Sequence, residues 1–276
     1  MAKNKHILGI DVGGTNTKFG LVTGRGKLVK SKQIATPKTK PKIIELLCEQ
    51  IELHQKEIDK IGLGLPGPLD LKNGRILKTP NLPLADTPIV KILKQKFKLP
   101  IKIENDANCF TLAEAVIGAG KNYPTVAGLT LGTGVGGGIV IDKKIFHGRG
   151  SAGELGHLFI DFKRAADLED LIGAKSLNLS AENYQILEKL EQQKDERALK
   201  FWKELGLTIG FGCLNIIHAL DPDIIVLGGK QSLAFSLFQP EMLKTINKHC
   251  LTKPPKIVKS KLIDKAGVIG AALLFK

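Results

Sequence analysis

The apolar positions of this chain recur with two periods, one of two residues and one of about 3.6 residues, which indicates strands mixed with amphipathic helices. The stretch from His6 to Val22 has two apolar runs separated by a tight turn, and residues 27–36 continue it as a third strand. Helices are predicted over residues 42–57, 88–97, 167–177, 182–192, 195–219 and 240–249, followed by a small-residue helix at the end of the chain. The pattern therefore predicts an α/β protein.

Further strands are predicted between these helices, at the segments IGLGL, RILKT, IKIE, DIIVLGG and KIVKS. His54 falls on the charged face of the 42–57 helix, so we expect it at the surface. The 195–219 helix has an apolar stripe that is expected to face the core, with the single tryptophan as a packing residue; the stripe contains Leu199, Trp202, Leu205 and Ile209.

Two glycine-rich turns stand out from this pattern. The first joins the strands within His6 to Val22, and residues 128–141 repeat the same plan with the turn Gly132 to Gly138. Such turns can simply connect hairpin strands. Their exposed backbone N–H groups can also cradle phosphate oxygens. Because the turn occurs twice, we interpret the chain as two related domains facing each other across a cleft that holds a polyphosphate.

Polar side chains follow the predicted strands at positions where ligands collect in open α/β sheets. Asp11 ends the first strand and can hold Mg²⁺, usually through water. Asn105 and Asp106 follow the IKIE strand. Asp106 is an obvious cap for the next helix, and because Asn105 cannot be the same cap, we interpret the pair as part of a site.

A second polar pair follows the glycine-rich segment between Phe146 and Gly153. Glu154 and His157 are three residues apart, so they can share one helical face and bind a polar ligand. A single histidine is more often structural, and the sequence alone leaves both readings open.

Composition narrows the classes of protein. The chain has 276 residues, of which 43% are hydrophobic, and its formal net charge is +14. The longest apolar runs are shorter than a membrane span, and no signal peptide is evident, so a soluble cytoplasmic protein is expected. The basic residues are mostly dispersed lysines with few aromatic residues between them, which argues against nucleic acid as a partner. The four cysteines lack metal-ligand spacing and are expected to be buried free thiols.

These features resemble the ROK family of sugar kinases and sugar-responsive regulators, which has the actin-like ATPase fold. The resemblance rests on motifs that occur in family order over nearly the whole chain: GIDVGGTNTKFGLV, GLGLPGPLD, TPNLP, ENDAN, LTLGTGVGGG, GSAGELGH, DPDIIVLGG and AGVIGAALL. It implies two domains with mixed sheets, helices and an interdomain cleft. A small domain is expected over 1–107 plus 265–276, and a larger one over 108–264.

The resemblance also assigns roles to individual residues. It implies that Asp106 is the catalytic base, which accepts the proton of a sugar hydroxyl, commonly the one on C6. The sugar-binding residues that it implies are Gly67, Asn81, Asn105, Asp106, Glu154, His157 and Glu169. ATP is expected at the two glycine turns, with Asp11 near Mg²⁺ and Gly228 and Gly229 near the nucleoside. The implied ATP-binding residues are Asp11, Gly13, Gly14, Thr15, Asn16, Lys18, Gly132, Thr133, Gly134, Gly136, Gly137, Gly228 and Gly229.

One departure from the family pattern concerns zinc. Many members follow the Gly-His pair with a cysteine-rich zinc loop, whereas residues 158–167 of this chain are shorter and contain no cysteine. No structural zinc is therefore expected. How His157 is held without the metal is left open, and the assignment of Glu169 after the shortened loop is the least secure.

Three functions compete on this sequence. The first is an ATP-dependent hexose kinase, most simply a glucokinase, and its alternatives within the family act on N-acetylhexosamines or fructose. The second is a sugar-responsive regulator, which we disfavour because a DNA-binding domain has no room before the first strand. The third is a sugar-binding protein without turnover. The preferred sugar, the choice between ATP and polyphosphate, and the oligomeric state stay open, although the family favours a homodimer.

Overall fold

The computed structural model of the protein describes residues 5–179 and 181–276. These residues divide into two compact units. The first unit contains the chain up to Ala113 together with His147–Ser151 and Asp264–Lys276. The second contains Glu114–Phe146 and Ala152–Ile263. Each unit has its own hydrophobic cluster of buried side chains.

Strands and helices alternate along the chain, as the periodicities predicted. The strands are β1 His6–Val12, β2 Asn16–Val22, β3 Leu28–Ala35, β4 Ile58–Leu65, β5 Leu69–Asp70, β6 Arg75–Ile76, β7 Ile101–Asn105, β8 Thr125–Leu131, β9 Val135–Ile141, β10 Lys144–Ile145, β11 Phe159–Asp161, β12 Ala166–Asp167, β13 Ile224–Gly228 and β14 Lys256–Lys259. The α-helices are α1 Lys40–His54, α2 Ile89–Lys96, α3 Asp106–Val116, α4 Leu168–Ile172, α5 Ala181–Gln192, α6 Glu196–Leu220, α7 Phe235–His249 and α8 Ala266–Leu273.

The first unit is built on a five-stranded sheet in the order β3-β2-β1-β4-β7. The strands β1, β2 and β3 form the predicted antiparallel meander, while β4 and β7 add parallel to β1. Parallel strands need long crossover connections, which α1 and α2 supply here. Because β1, β4 and β7 run in the same direction, their carboxyl ends lie at one edge of the sheet. Asp11 and Asn105 lie at this edge.

The second unit repeats this plan with a sheet in the order β10-β9-β8-β13-β14. The hairpin of β8 and β9 is antiparallel, and β13 pairs in parallel with both β8 and β14. The repetition inferred from the two glycine-rich turns is therefore present in the strand topology. The core against this sheet includes α6, whose Trp202, Leu205 and Ile209 are buried as predicted.

Several expectations about individual positions were wrong. His54 is buried and its Nδ1 lies 3.2 Å from Oε1 of Glu57, so it is not a surface residue. Leu199 is 42% exposed and does not belong to the buried stripe, whereas its neighbour Ala198 is fully buried. The predicted helix over 167–177 is confined to α4, and the segment RILKT contributes only the two residues of β6. The helix α7 begins five residues before the predicted start, so Pro240 lies inside it.

Two compositional expectations can be compared with the structure. The four cysteines are free thiols, as expected, but only Cys109 and Cys213 are buried, whereas Cys48 and Cys250 are partly exposed. Among the described residues, no helix combines the length and apolar character that crossing a membrane requires.

Candidate active site

The first glycine turn is anchored by the residue that follows β3. Thr36 donates a hydrogen bond from its Oγ1 to the carbonyl oxygen of Gly13, at 2.7 Å, and its N–H donates to the oxygen of Thr15, at 2.9 Å. The hydroxyl of Thr17 lies 2.9 Å from that of Thr36, and both side chains are buried. Hydrogen bonds to the turn's carbonyl oxygens fix its backbone. Neither Gly13 nor Gly14 is among the glycines with a positive φ, so this turn does not use the left-handed conformation that glycine permits.

Two of the predicted ligand residues lie beside this turn. A Cβ atom built on Gly14 would lie 3.4 Å from Cβ of Asn81, so the structure brings Asn81 to the turn. The Nζ atom of Lys18 donates to the carbonyl oxygen of Asp264 at 2.9 Å and lies 3.8 Å from its carboxylate. Lys18 is therefore held by the segment before α8. Gly67 lies in the turn between β4 and β5 with a φ of +86°.

The carboxyl group of Asp11 is enclosed at the edge of the first sheet. It lies against Gly267 in the first turn of α8, where a side chain would collide with Oδ2 of Asp11. Burial, followed by the negative charge of Asp106, raises the pKa of Asp11 from 3.8 to about 7, while Lys18 acts in the opposite direction. The structure therefore brings two predicted site residues, Asp11 and Asp106, within electrostatic reach of each other.

Asn105 and Asp106 exchange the roles that were predicted for them at the start of α3. Oδ1 of Asn105 accepts hydrogen bonds from the N–H groups of Ala107, at 2.9 Å, and Asn108, at 3.2 Å. This is the geometry of a helix N-cap. Asp106 is the first helical residue and accepts from the N–H of Ala107 at 2.9 Å. The expectation that Asp106 caps the helix and Asn105 does not was wrong, because an N-cap side chain bonds the amide three residues later.

Glu104 is a buried residue of this edge that sequence reasoning missed. Its Oε1 accepts from the N–H of Asn105, at 2.8 Å, and from Nδ2 of Asn108, at 3.0 Å. Its Oε2 lies 2.6 Å from Nε2 of His147. No sequence signal marked its burial, because Glu104 follows the alternation of apolar and polar residues along β7 and so falls at a position expected to face solvent. Glu104 thus supports the backbone that carries Asn105 and Asp106.

The second glycine turn is held by the segment after α4. The carbonyl oxygens of Gly132 and Thr133 accept hydrogen bonds from the N–H groups of Ala174 and Lys175, both at 3.0 Å. Gln231, which is buried, donates from Nε2 to the oxygen of Ile172 at 2.8 Å. As in the first turn, hydrogen bonds to the carbonyl oxygens fix the backbone of the turn.

Glu169 inserts its carboxylate into this second turn. Oε2 of Glu169 accepts a hydrogen bond from the N–H of Val135 at 2.7 Å. A side chain on Gly134 would collide with the carboxylate of Glu169, and one on Gly137 would collide with Leu155. Two of the glycines that suggested a bound phosphate are therefore also required by packing within the chain.

The remaining predicted ATP residues of the second unit lie on or beside its sheet. Gly136 is on β9, and Gly228 ends β13. Gly229 follows with a φ of +80°, at the start of a short 3-10 turn. The exposed residue Thr133 is at the tip of the hairpin, as Thr15 is in the first turn.

His157 is held by a carboxylate. Its Nδ1 donates to Oδ2 of Asp167 at 2.8 Å. This hydrogen bond is the largest cause of a raised pKa of His157, and the negative charges of Asp167, Glu169 and Glu154 act in the same direction. Glu154 directly precedes a 3-10 turn, Leu155–His157. Asp167 is therefore the residue that holds this histidine in place.

The predicted site residues thus form one group in each unit. In the first unit, the carboxyl edge of the sheet brings together Asp11, Asn105 and Asp106, with the first glycine turn beside Asn81. In the second unit, Glu169 contacts the glycine turn, and Asp167 joins His157 to the start of the helix that carries Glu169. No group of three or more His, Cys, Asp or Glu side chains is placed to hold a metal ion within the described part of the chain.

Comparisons with known proteins agree with this fold. The sequence model of the ROK family matches residues 7–276. An N-acetyl-D-glucosamine kinase of Vibrio vulnificus strain YJ016 is 36% identical, with 96% of this chain and 98% of the relative covered. The ROK hexokinase structure from Thermus thermophilus has a TM-score of 0.85 and 31% identity over 97% of this chain and 96% of that chain. A ROK glucokinase from Streptomyces griseus, solved with glucose and AMPPNP, has a TM-score of 0.82 and 26% identity, with 98% of each chain covered.

The fold and these matches define a phosphotransferase of the sugar-kinase class with the actin-like ATPase fold. The chain belongs to the ROK family, because the family match extends over almost its whole length.

Proposed function

We propose that the protein transfers the γ-phosphate of ATP to the C6 hydroxyl of N-acetylglucosamine or a related hexose, with Asp106 as the general base. The observation that carries this proposal is the placement of Asp106 at the carboxyl edge of the first sheet, within electrostatic reach of Asp11. Ligands of open α/β sheets collect at this edge. A carboxylate there can accept the proton of an attacking hydroxyl, an effect that contributes about 10² to 10⁴ in rate.

The first unit supplies the base and one phosphate turn in this proposal. Asn105 caps α3 and so fixes the first helical residue, Asp106. The first glycine turn, anchored by Thr36, presents backbone N–H groups to phosphate oxygens. Asn81, which lies over Gly14, is proposed as a sugar ligand beside that turn.

The second unit supplies the other turn and three sugar ligands. Glu154, His157 and Glu169 offer carboxylate and imidazole groups that suit the hydroxyls of a sugar. Gly228 and Gly229 are proposed to approach the nucleoside. Phosphoryl transfer depends mainly on the positioning of the two substrates and on neutralising the negative charge of the phosphoryl group. The hydrogen-bonded loops of this unit are suited to positioning the substrates.

The residues of the first unit fit a magnesium ion. Asp11 has a hard oxygen donor, and the repulsion between its carboxylate and that of Asp106 would be relieved by a cation. We therefore propose that Asp11 holds Mg²⁺, through water, with ATP. When bound, the ion would neutralise charge on the phosphate oxygens. No zinc is expected.

N-acetylglucosamine is proposed ahead of glucose, which was the simplest choice from the sequence. The support is that a relative with 36% identity over 96% of this chain is named as an N-acetyl-D-glucosamine kinase. The glucokinase solved with glucose and AMPPNP has 26% identity, so it supports glucose less strongly. The regulator and the sugar-binding protein without turnover are not favoured by any observed contact.

The test is a panel of acceptors crossed with donors. N-acetylglucosamine, N-acetylmannosamine, glucose, mannose and fructose are each assayed with ATP and with inorganic polyphosphate, and the phosphorylated carbon is identified by NMR. We expect the highest kcat/KM with N-acetylglucosamine and ATP and a 6-phosphate product. No turnover with any pair would refute the kinase, and a higher kcat/KM for glucose would refute the proposed acceptor.

Asp106→Asn tests the base. The asparagine retains the shape of the side chain but cannot accept the proton, so we expect kcat to fall by a factor of about 10² to 10⁴ while sugar binding is largely kept. The matched control is Glu45→Gln, which removes an exposed negative charge from α1 of the same unit. A kcat equal to that of the parent would remove Asp106 from the mechanism.

A further inference from the structure

The carboxylate of Asp167 is divided between two partners in the second unit. Its Oδ1 accepts a hydrogen bond from the N–H of Asp170 at 2.8 Å, which caps α4, and Oδ2 accepts from Nδ1 of His157 at 2.8 Å. Oδ2 of Asp170 completes a capping box by accepting from the N–H of Asp167 at 3.3 Å. Because the cap fixes one oxygen, the other oxygen has a defined position for the histidine.

An ionised carboxylate can only accept hydrogen bonds. The hydrogen between His157 and Asp167 must therefore be on Nδ1 of the imidazole. In the neutral ring, Nε2 then has a lone pair and is an acceptor. The His157 side chain is 58% exposed, so a polar ligand can reach it.

We propose that Asp167 is a positioning residue that keeps neutral His157 in its Nδ1–H tautomer, so that Nε2 accepts a hydrogen bond from a hydroxyl of the acceptor sugar. The assignment of the ligand rests on the proposed function, whereas the tautomer rests on the hydrogen bond alone. Asp167 also caps the helix that carries Glu169, whose carboxylate binds the second glycine turn. One side chain thereby orients two of the proposed sugar ligands.

The charged groups that face His157 set the direction of its pH dependence. Asp167 caps α4, Glu169 lies in the first turn of the same helix, and Glu154 directly precedes the 3-10 turn that carries His157. All three are acidic, and the pKa of His157 is raised. Since only the neutral ring can accept through Nε2, the KM for sugar is expected to fall as the pH rises through this raised pKa.

The variant that tests the proposal is Asp167→Asn. Asparagine can keep the helix cap, because its Oδ1 still accepts from the N–H of Asp170. Its Nδ2 is a donor, however, so Nδ1 of neutral His157 must become the acceptor and the hydrogen moves to Nε2. Nε2 of His157, the atom proposed to bind the sugar, thus changes from a hydrogen-bond acceptor to a donor while the imidazole side chain is retained.

The matched control is Asp170→Asn, which alters the other half of the same capping box. Its side chain can still present an oxygen to the N–H of Asp167, and Asp170 does not contact His157 in the described structure. A change that appears equally in both variants would report on the start of α4 rather than on His157.

The tautomer is read directly by long-range ¹H–¹⁵N NMR of the full chain, with the His157 signals assigned by their loss in His157→Gln. We expect Nδ1–H in the parent and in Asp170→Asn, and Nε2–H in Asp167→Asn. In initial-rate assays we expect the sugar KM of Asp167→Asn to rise about tenfold, which corresponds to about 1.4 kcal/mol, and its pH dependence to move to lower pH. The KM for ATP should stay near that of the parent.

Two results would overturn the proposal. The first is an Nδ1–H tautomer and an unchanged sugar KM in Asp167→Asn. The second is an equal rise in sugar KM in Asp167→Asn and Asp170→Asn. If the parent phosphorylates no sugar, the proposed function fails and the sugar half of this proposal fails with it, but the NMR result still decides whether Asp167 sets the tautomer.

Discussion

Asparagine in place of Asp11 is expected to stabilise the first unit at alkaline pH while it removes activity. The pKa of this carboxyl is about 7 in the folded protein, against 3.8 for the ordinary group, because the folded state buries it beside Asp106. Below pH 3.8 both states are protonated and burial costs nothing extra. Between pH 3.8 and 7 only the unfolded state ionises, so stability falls as the pH rises, and above pH 7 the full cost is present.

The size of the stability change follows from the pH range between the two pKa values. One pKa unit corresponds to 1.36 kcal/mol. From pH 5 to pH 8 the parent is expected to lose at most about 2 to 3 kcal/mol relative to Asp11→Asn. This value is an upper limit because Asp11 keeps some exposed surface. Asp106→Asn removes the second cause of the raised pKa, so in that variant the loss of stability should end at a lower pH and be smaller.

The assay must report on the unit that contains Asp11. The single tryptophan, Trp202, lies in the second unit, so its fluorescence cannot serve as the probe. Hydrogen exchange of the amides of β1, β4 and β7, measured by mass spectrometry between pH 5 and pH 8 and corrected for intrinsic rates, gives the local stability instead. Glu45→Gln is again the control for loss of one negative charge.

A difference in stability between Asp11→Asn and the parent that is constant over this pH range would contradict the raised pKa of the buried carboxyl. The same pH dependence in Glu45→Gln would also contradict it, because the effect would then come from net charge rather than from burial. A difference that grows with pH supports the buried carboxyl as its source.

Three further predictions concern the two glycine turns and zinc. Thr36→Val removes the donor to the carbonyl oxygen of Gly13 and should raise the KM for ATP about fivefold, since a hydrogen bond contributes about 1 kcal/mol. Thr36→Ser keeps the hydroxyl and should restore the KM of the parent. Equal KM values for Thr36→Val and the parent in initial-rate assays would show that this hydrogen bond does not fix the turn for ATP. Gly134→Ala places a methyl group on the carboxylate of Glu169 and should lower kcat/KM about tenfold or more, whereas unchanged kinetics would show that this contact is dispensable. Elemental analysis of purified protein should find far less than one zinc per chain, and one tightly held zinc would show that residues 158–167 were misread.

Local features of the fold were predictable because their causes are local. Each glycine turn lies between two apolar runs of strand length, so both hairpins follow from residues within about 20 positions of each other. The N-cap of α3 was placed one residue too late, because Asp and Asn are both good caps and only backbone geometry separates them. His54 was wrongly assigned to the charged face, because it lies three and four residues after the buried Ile51 and Gln50 and so continues the buried stripe of α1.

Contacts between residues that are distant in sequence account for most of what the sequence did not reveal. Glu104 and His147 are 43 positions apart, and Glu169 and Val135 are 34 apart. No periodicity connects such pairs, so their hydrogen bonds appear only once the chain is folded. The family motifs supplied the candidate residues but not the partners that orient them, such as Asp167 for His157.

The glycines of the second turn show how a correct pattern can have more than one cause. They suggested a turn that cradles phosphate, yet Gly134 also makes room for the carboxylate of Glu169, which already accepts the hydrogen bond of the Val135 N–H. A phosphate oxygen cannot use that N–H unless Glu169 releases it. If Glu169 is a sugar ligand and the turn binds ATP, both substrates depend on one hydrogen bond. Under the proposed function, movement of Glu169 toward the sugar would therefore free an amide of the phosphate turn and would connect the two proposed sites within the second unit.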